Sequence, residues 1–324
     1  MLKLGNIKLD MPVIQAPLSG YTDRAMRTIS RRFGAPLTFT GVLLDKIALH
    51  KKAVRKLLFQ PGEDEHPVGA QIIGANPDTM AKAAAAFEKI GFDIIDLNFA
   101  CPAPKVLRRG RGGSLLCNPK VAIEIYKCVR ETVKCPVLIK LRSSFGTDDG
   151  SREGFWQICE EAAANGVDAI AIHGRSVKQR YRGLADWGII DEAKRRFPNT
   201  TIIGSGDLFD PETIVSRLGS NSADIVAIAR GAIGNPWIFA ETKALLAGTP
   251  KPEPPGLTEQ GQVILDHFEM IAQMRTAIKA VRYFRKFATG YCKRHPQRKK
   301  AQLALMAAKT PQQLTDTVKQ WYGL

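Results

Sequence analysis

The sequence predicts an α/β protein, a (β/α)8 TIM barrel followed by a small all-helical C-terminal domain. Eight short apolar runs, rich in Val and Ile, alternate with amphipathic stretches over about the first 235 residues, a pattern typical of repeated strand and helix units. Eight parallel strands with helices between them close into a barrel. The alternative is a doubly wound open sheet, but no Gly-x-Gly-x-x-Gly follows the first run, as a dinucleotide-binding sheet requires.

The eight runs predict the barrel strands in chain order. They lie at residues 13–16, 37–40, 68–72, 94–97, 137–141, 169–172, 201–204 and 225–229. A proline-rich segment at 249–256 is stiff and extended, as interdomain linkers often are. We therefore predict a catalytic domain at 1–248 and a helical domain at 257–324. Within the second domain, helices are predicted at 264–275, 277–292, 299–308 and 311–321.

Charge points to a polyanionic partner. The chain of 324 residues has a formal net charge of +16, and residues 256–324 contain twelve Lys and Arg against four Asp and Glu. Residues 275–300 hold ten basic residues and no acidic one, with four aromatic residues between them: Tyr283, Phe284, Phe287 and Tyr291. A solvated helical face, docked through its aromatics, is the alternative. The absence of acidic residues favours phosphate binding, and hence nucleic acid.

Several classes of protein are disfavoured by composition. No window has the roughly 18 uncharged apolar residues of a membrane span, and charges at Lys3, Lys8 and Asp10 do not suit a signal peptide. The six cysteines form no Cys-x-x-Cys pair, which argues against structural zinc and a disulfide scaffold. No His-Glu-x-x-His occurs, so no metal is expected. We expect a cytoplasmic protein, monomeric because of its charge.

Polar residues follow the predicted strands where a barrel places its active site. The carboxyl ends of the strands share one face of a barrel. The residues at these ends are Pro17, Leu18, Ser19, Thr40, Gln71, Asn98, Cys101, Lys140, His173, Ser205, Gly206, Asp207 and Arg230. Each alone could cap a helix or sit satisfied in the core. Together they predict a lined pocket.

Two further features suggest the chemistry of this pocket. The turns Gly204-Ser205-Gly206 and Ala229-Arg230-Gly231 follow strands seven and eight, where barrels commonly bind phosphate, and a flavin mononucleotide would supply one. Lys140 would then face the flavin ring and stabilise its reduced, anionic form. Cys101 precedes a loop that carries Arg108, Arg109 and Arg111. A buried structural cysteine is the alternative, but this pairing suggests an acid thiol beside a polyanionic substrate.

The motifs together resemble those of the tRNA-dihydrouridine synthases, flavoenzymes that reduce specific uridines in RNA. The resemblance covers almost the whole chain. The helical tail most resembles that of the bacterial B-like subgroup, in which the helical domain follows a proline-rich linker. The matching segments are APLSGYTD at 16–23, DLNFACP at 96–102, GSLL at 113–116, HGRS at 173–176, YxGxADW at 181–187 (x being any residue), RGA at 230–232 and NPWIF at 235–239. Several motifs in the right order are far more specific than any one of them.

The resemblance implies a cofactor, a reaction and a set of roles. FMN would be held by Pro17, Leu18, Ser19, Gln71, Lys140, His173, Ser205, Gly206, Asp207, Ala229 and Arg230. NADPH, or NADH, would reduce the flavin, which would pass hydride to uracil C6 while Cys101 protonates C5. Asn98 would contact the base. Two departures, Ser205 in place of the usual Asn and Leu18-Ser19 in place of the common Met-Ala, put those individual flavin contacts in question.

The resemblance also assigns residues to tRNA. Arg175, Lys178 and Arg180 would approach the RNA from the barrel, and Arg282, Arg285 and Lys286 from the helical domain. Two alternatives remain open. One is another FMN barrel enzyme that acts on a free pyrimidine, such as a dihydroorotate dehydrogenase, which would give the basic helices no purpose. The other is a non-catalytic RNA-binding barrel, against which Cys101 and Lys140 together argue.

Overall fold

The computed structural model describes residues 2–50, 52, 60–147, 150–220 and 222–324. Its strands are β1 (Leu2–Leu4), β2 (Ile7–Leu9), β3 (Val13–Gln15), β4 (Thr38–Phe39), β5 (Leu43–Leu44), β6 (Val68–Ile73), β7 (Ile94–Phe99), β8 (Val137–Arg142), β9 (Ala169–His173), β10 (Thr201–Ser205) and β11 (Ile225–Ile228). Each of the eight predicted runs contains a strand, so these predictions are confirmed.

Helices alternate with the strands and then continue alone. They are α1 (Arg24–Arg32), α2 (Asp45–Ala48), α3 (Pro77–Lys89), α4 (Pro104–Leu107), α5 (Pro119–Thr132), α6 (Ser151–Ala164), α7 (Gly188–Arg196), α8 (Pro211–Gly219), α9 (Trp237–Leu246), α10 (Leu257–Gln273), α11 (Ala277–Tyr291), α12 (Arg298–Ala307) and α13 (Pro311–Tyr322). Short 3₁₀ turns lie at Glu63–Glu65, Gly112–Cys117, Arg230–Ala232 and Cys292–Arg294. Within the described ranges, none of these helices is long and apolar enough to cross a membrane.

Many helix starts follow directly from local sequence. A side-chain oxygen one residue before the helix accepts a hydrogen bond from the backbone two or three residues later, which satisfies an otherwise unpaired N–H. The capping residues are Asp23 for α1, Asn76 for α3, Asp210 for α8 and Thr310 for α13. A proline follows three of these caps, where its missing N–H and fixed φ suit the first turn.

The parallel sheet closes on itself and confirms the predicted barrel. Neighbouring strands run in the order β3, β11, β10, β9, β8, β7, β6 and β4, and the pairings along this path are parallel. The ends of the path meet where the Gln15 N–H donates to the Leu37 carbonyl at 3.0 Å. Strand β5 adds a short pairing to β6. Alternate residues of each strand therefore point at a common axis.

The lower part of the barrel is apolar and is closed by a hairpin that the sequence analysis did not predict. Strands β1 and β2 pair antiparallel, and Leu4 and Leu9 are buried with Ile14, Leu138 and Ile203 in one cluster. Above this cluster the inward positions become polar: on β7 and β8, Asp96 and Asn98, then Lys140 and Arg142, follow the apolar residues of the lower layer. The change from apolar to polar along the axis places the site at the carboxyl ends.

The C-terminal helices confirm the four predicted ones, with one shifted start. Helix α10 begins at Leu257, seven residues before the predicted position 264. The polar residues of its first turns hide the helical period, and Gly261 lies against Tyr322, where a Cβ would be 2.6 Å from that residue's Cβ. The other three helices start and end within one residue of the prediction. We call residues 257–324 the tail.

The tail docks onto the barrel through the aromatic side chains of α11. The Tyr283 hydroxyl donates to the Tyr21 carbonyl at 3.1 Å, and the rings of Tyr21 and Phe287 meet edge to face. The segment at 275–300 also finds carboxylates on the barrel: Arg275 lies 2.8 Å from Asp23, and Arg294 pairs with a barrel glutamate. The expectation of a basic segment without counter-ions is therefore wrong in part, because acidic residues distant in sequence supply them.

Helix α11 approaches the barrel so closely that a glycine is required. A Cβ at Gly290 would lie 1.9 Å from the Ile233 carbonyl oxygen. We expect Gly290→Ala to lower the free energy of unfolding by about 1–3 kcal/mol or more, because backbone must move to admit the methyl group. Gly219→Ala is the matched control, since a Cβ there meets no described atom within 4 Å. Urea denaturation of both variants tests this; equal stabilities would contradict it.

A second prediction concerns acid stability. His267 is buried in the tail, with its Nδ1 2.8 Å from the Tyr291 hydroxyl, and burial, reinforced by the charge of Arg275, lowers the pKa of His267 to about 3. The unfolded chain takes up this proton below about pH 6.5, whereas the folded protein does not. Acidification from about pH 6.5 to about pH 5 should cost about 2 kcal/mol of stability through this group.

The measurement compares wild type with His267→Gln by denaturant unfolding at three pH values. The stability that the substitution itself removes is measured at pH 8, where residue 267 is neutral in both the wild type and the variant. We expect the difference in stability between the two proteins to shrink by about 2 kcal/mol at pH 5. A difference that stays constant with pH would show that His267 does not carry the acid sensitivity.

Candidate active site

The carboxyl ends of the strands surround a cleft, which holds about 860 Å³ of space, part of it open to solvent. The cleft is lined by Asn98, predicted to contact the base, and by Cys101, the predicted proton donor. It is also lined by all the residues predicted to hold the cofactor: Pro17, Leu18, Ser19, Gln71, Lys140, His173, Ser205, Gly206, Asp207, Ala229 and Arg230. The structure thus brings together side chains from strands or strand-end loops that span more than 200 residues of sequence.

Several lining residues had no predicted site role, of which Arg142, Tyr181 and Phe209 matter most. Arg142 is 4% exposed and donates to the Ala100, Ser176 and Arg180 carbonyls at 2.8–3.1 Å. It therefore joins the loop that carries Cys101 to the loop after β9. The alternation of a strand could have found it, because Arg142 lies two positions after Lys140 and shares its inward face.

Cys101 lies at the wall of the cleft on a tightly held loop. The side-chain oxygen of Asn98 accepts hydrogen bonds from the N–H groups of Ala100 at 3.0 Å and Cys101 at 2.9 Å. The Gly113 N–H donates to the Cys101 carbonyl at 3.1 Å, and a Cβ at Gly112 would lie 2.9 Å from the Cys101 Cβ. The thiol is partly exposed on this fixed backbone. It can therefore meet a ligand in the cleft.

A chain of buried amides continues from Asn98 into the barrel. Its Nδ2 donates to Gln71 Oε1 at 2.7 Å, and Gln71 Nε2 donates to Asp96 Oδ2 at 2.7 Å. The three side chains are at most 5% exposed. Burial raises the pKa of Asp96 to about 6, against the opposing effects of the Gln71 hydrogen bond and the Lys140 charge. The carboxyl group is therefore mainly ionised at neutral pH.

Lys140, His173 and Ser205 lie on β8, β9 and β10, the strands that follow β7 around the barrel. Lys140 Nζ donates to Ser205 Oγ at 3.4 Å, and Ser205 Oγ donates to the Ile172 carbonyl at 3.1 Å. Burial lowers the pKa of Lys140 to about 8 and that of His173 to about 2, the latter helped by nearby cations. His173 is thus a neutral imidazole, and its buried Nε2 has no hydrogen-bond partner among the described residues.

The turn after β10 and the turn after β11 meet at the far end of the cleft. Gly206 has φ 139°, and a Cβ there would lie 2.4 Å from the Ala185 Cβ, so glycine is required. The Arg230 guanidinium lies 4.6 Å from the centre of the Tyr181 ring and 5.0 Å from that of Phe209. Its Nη2 also donates to Asp207 Oδ1 at 3.3 Å, and the two ring contacts orient the remaining N–H donors, an arrangement suited to phosphate.

Arg175, which was predicted to contact RNA, is buried. Its side chain is 2% exposed, and its Nη2 lies 2.7 Å from both carboxylate oxygens of Asp207. Although burial acts the other way, the Arg175 and Ala185 hydrogen bonds hold the pKa of Asp207 below its usual value. Arg175 therefore fixes the loops at the cleft, and its contact with RNA stays a prediction. Lys178 and Arg180, on the same loop, are exposed.

The tail residues predicted to bind RNA differ among themselves. Arg282 is exposed on α11. Arg285 is half-buried and donates to the Ala308 carbonyl, so its guanidinium serves the packing of the tail. Lys286 is exposed, but its Nζ donates to the Gly20 carbonyl at 3.1 Å and lies 4.4 Å from the centre of the Tyr283 ring. Sequence could identify these charges but not the groups that they contact.

The described residues contain no group of three or more His, Cys, Asp or Glu side chains that could hold a metal ion. The groups in the cleft that can bind a ligand or transfer a proton are the Cys101 thiol, the neutral His173 imidazole, the Lys140 amine and the Arg230 guanidinium. This set can donate protons, bind an anion and contact a planar polar ring.

Comparison with known proteins identifies the family. The dihydrouridine synthase family model matches residues 14–322. A probable tRNA-dihydrouridine synthase of Rickettsia bellii is 30% identical over 325 residues, covering 99% of this chain and 98% of the relative. The tRNA-dihydrouridine synthase B of Vibrio cholerae is 32% identical over 322 residues, with the same coverage of 99% and 98%.

Solved structures agree on the architecture. Morphinone reductase in complex with tetrahydroNAD matches with a TM-score of 0.55 at 18% identity, covering 78% of this chain and 91% of that one. The old yellow enzyme homologue from Zymomonas mobilis matches with a TM-score of 0.54 at 14% identity, covering 78% and 92%. At these identities the likeness shows a shared barrel fold. Because the family match spans nearly the whole sequence, this chain belongs to the dihydrouridine synthase family.

Proposed function

We propose that this protein reduces uridines in tRNA to 5,6-dihydrouridine, with FMN as cofactor and NADPH or NADH as reductant. The observation that carries the proposal is the cleft itself, where a partly exposed Cys101 faces residues suited to a flavin. Family membership and the names of the relatives from Rickettsia bellii and Vibrio cholerae support the reaction. The net charge of +16 supports a nucleic acid substrate.

The residues present fit FMN. The orphaned His173 Nε2 is a buried polar atom that a ligand in the cleft can satisfy. We propose that Gly206 and Arg230 bind the phosphate and that Lys140, next to Asn98 on the neighbouring strand, offers a cation to the flavin ring. The remaining proposed contacts are Pro17, Leu18, Ser19, Gln71, Ser205, Asp207 and Ala229. When bound, FMN would supply the hydride that saturates C6 of the uracil ring.

Cys101 supplies the matching proton in this proposal. Saturation of the uracil C5=C6 bond also requires a proton at C5, which is adjacent to a carbonyl carbon. A thiol is a suitable acid because it can lose its proton without a metal. The hydrogen bonds from Ala100 and Cys101 to Asn98 fix the position of the thiol, and Asn98 is the residue we propose to contact the base. The base must leave its stack to enter the cleft.

The rim of the cleft supports RNA as the substrate. On the Cys101 side, Lys105, Arg108 and Arg109 are exposed, and on the loop after β9 so are Lys178 and Arg180. In the tail, Lys279, Arg282 and Lys286 are exposed and follow a helical spacing that places them on one face of α11. A free pyrimidine would contact none of these cations, so they favour RNA over a dihydroorotate-like substrate.

We propose accordingly that residues 1–248 form the catalytic domain, 249–256 the linker and 257–324 the RNA-binding domain.

The role of Cys101 can be tested by Cys101→Ala. We expect flavin binding and flavin reduction by NADPH to persist, while dihydrouridine formation in an unmodified tRNA transcript falls by about 100-fold or more, the usual range for loss of a general acid. Anaerobic flavin absorbance and RNA mass analysis measure the two half-reactions. Cys117→Ala, at an exposed cysteine, is the control. Normal turnover by Cys101→Ala would rule out the acid role. Reoxidation of the reduced wild-type flavin by a free pyrimidine but not by tRNA would favour the alternative, an FMN barrel enzyme that acts on free pyrimidines.

The RNA-binding face can be tested by reversing its charge. We expect the double variant Lys279→Glu/Arg282→Glu to bind tRNA more weakly and to lower the slope of log affinity against log salt by about 2, since each phosphate contact contributes about one. The control is Lys82→Glu/Lys89→Glu, which makes the same charge change on exposed positions of α3, an outer barrel helix. Equal effects of the two variants would show that only net charge matters and would contradict a specific tail surface.

A further inference from the structure

We infer that Asp96 is a positioning residue that sets the direction of the hydrogen bonds holding the Cys101 loop, acting through the side-chain amides of Gln71 and Asn98. The inference deepens the proposed function and rests on it for its catalytic meaning. Asp96 does not line the cleft. In the sequence it is only part of the DLNFACP motif, with no predicted role of its own.

The geometry forms an unbroken series of short hydrogen bonds. Strands β6 and β7 pair in parallel with Gln71 opposite Asp96. Gln71 donates to Asp96 at 2.7 Å, Asn98 donates to Gln71 at 2.7 Å, and Asn98 accepts from Ala100 at 3.0 Å and Cys101 at 2.9 Å. The series therefore connects a buried carboxylate to the backbone of the proposed acid.

The carboxylate at one end of the series and the backbone N–H groups at the other impose the same orientation on the two side-chain amides between them. An ionised carboxylate can only accept hydrogen bonds, and a backbone N–H can only donate. Asp96 thus turns Gln71 Nε2 toward itself and Gln71 Oε1 toward Asn98. Asn98 must then present Nδ2 to Gln71 and its oxygen to the Cys101 loop. Because the two ends of an amide are nearly equal in size, packing alone does not select this orientation.

Reversal of the amides would release the loop. If Gln71 and Asn98 both turned over, the Asn98 amine would face the N–H groups of Ala100 and Cys101, and buried donors would lose their acceptor. Displacement of a reacting group by about 1 Å can cost about 100-fold in rate. The carboxylate therefore matters to the thiol although the two groups do not touch.

Two single variants and their combination test the direction of the bonds. Asp96→Asn allows either end of the new amide to face Gln71, so that the amides are no longer held one way. Gln71→Glu places a second carboxylate against Asp96, and the repulsion between the two displaces the side chain at 71 from Asn98. In the double variant, the new amide at 96 donates to one oxygen of the new carboxylate at 71, and Asn98 donates to the other. The double variant therefore restores both the wild-type direction and the wild-type net charge.

The first readout is single-turnover dihydrouridine formation by the reduced enzyme, with each variant matched for flavin content. We expect each single variant to be slower by about tenfold or more, and the double variant to return to within about threefold of the wild type. Wild-type rates in both single variants would overturn the inference. So would a double variant as slow as the single variants, since loss of packing or charge predicts no such recovery.

The second readout needs neither RNA nor turnover. Alkylation of Cys101 by iodoacetamide, relative to the exposed Cys117, should accelerate in each single variant and return in the double variant. This pattern without any uridine reduction by the wild type would reject the proposed function and retain the positioning role. If the variants do not fold, hydrogen exchange in the wild type decides: we expect the Ala100 and Cys101 amides to be protected like those of β7, and exchange as fast as that of the exposed Arg109 would overturn the inference.

Discussion

Closure of the parallel sheet is the constraint on which the rest of the molecule depends. The sheet path runs from β3 through six other strands to β4. The hydrogen bond from the Gln15 N–H to the Leu37 carbonyl joins these two ends and closes the barrel. Alternate side chains of every strand then point to one axis. The hairpin that buries Leu4 and Leu9 closes the lower end, so the upper end is where the interior meets solvent. A polar layer is tolerated only at that end, and the active-site cleft lies there.

The charges in this layer are arranged to favour an anion. Burial moves the pKa of Asp96 up to about 6 and that of Lys140 down to about 8, so at neutral pH each is mainly charged. Asp207 is shared by two arginines, the buried Arg175 at 2.7 Å and Arg230 at 3.3 Å. Lys140 and Arg230 therefore keep a positive potential in the cleft that the nearby carboxylates only partly offset. The neutral imidazole of His173 can contact a polar ring without adding charge. The cleft is electrostatically complementary to a phosphate-bearing cofactor whose ring becomes negative on reduction.

Sequence predicted the parts of this structure that depend on local pattern. The strands follow from apolar runs, and the cleft residues from the rule that strand ends share a face, so Lys140 and Cys101 could be placed before any coordinates. Pairing between distant segments could not be predicted. Sequence shows the charge of Arg175 but neither its burial nor the Asp207 carboxylate that it contacts. Likewise the first hairpin is too short to give a period, and its burial depends on the barrel that it closes.

The position of the tail is tied to the same loop that lines the cleft. Asp23 caps α1 by accepting from the Met26 N–H at 3.1 Å and also pairs with Arg275 of the tail at 2.8 Å. Arg275 in turn lies 3.7 Å from the centre of the Tyr283 ring. The chain from Pro17 to Asp23 thus contacts the cleft at one end and the tail at the other. An RNA bound along α11 would be held at a distance from Cys101 that depends on this loop together with the other barrel–tail contacts, among them Gly290 against the Ile233 carbonyl and Arg294 with Glu241.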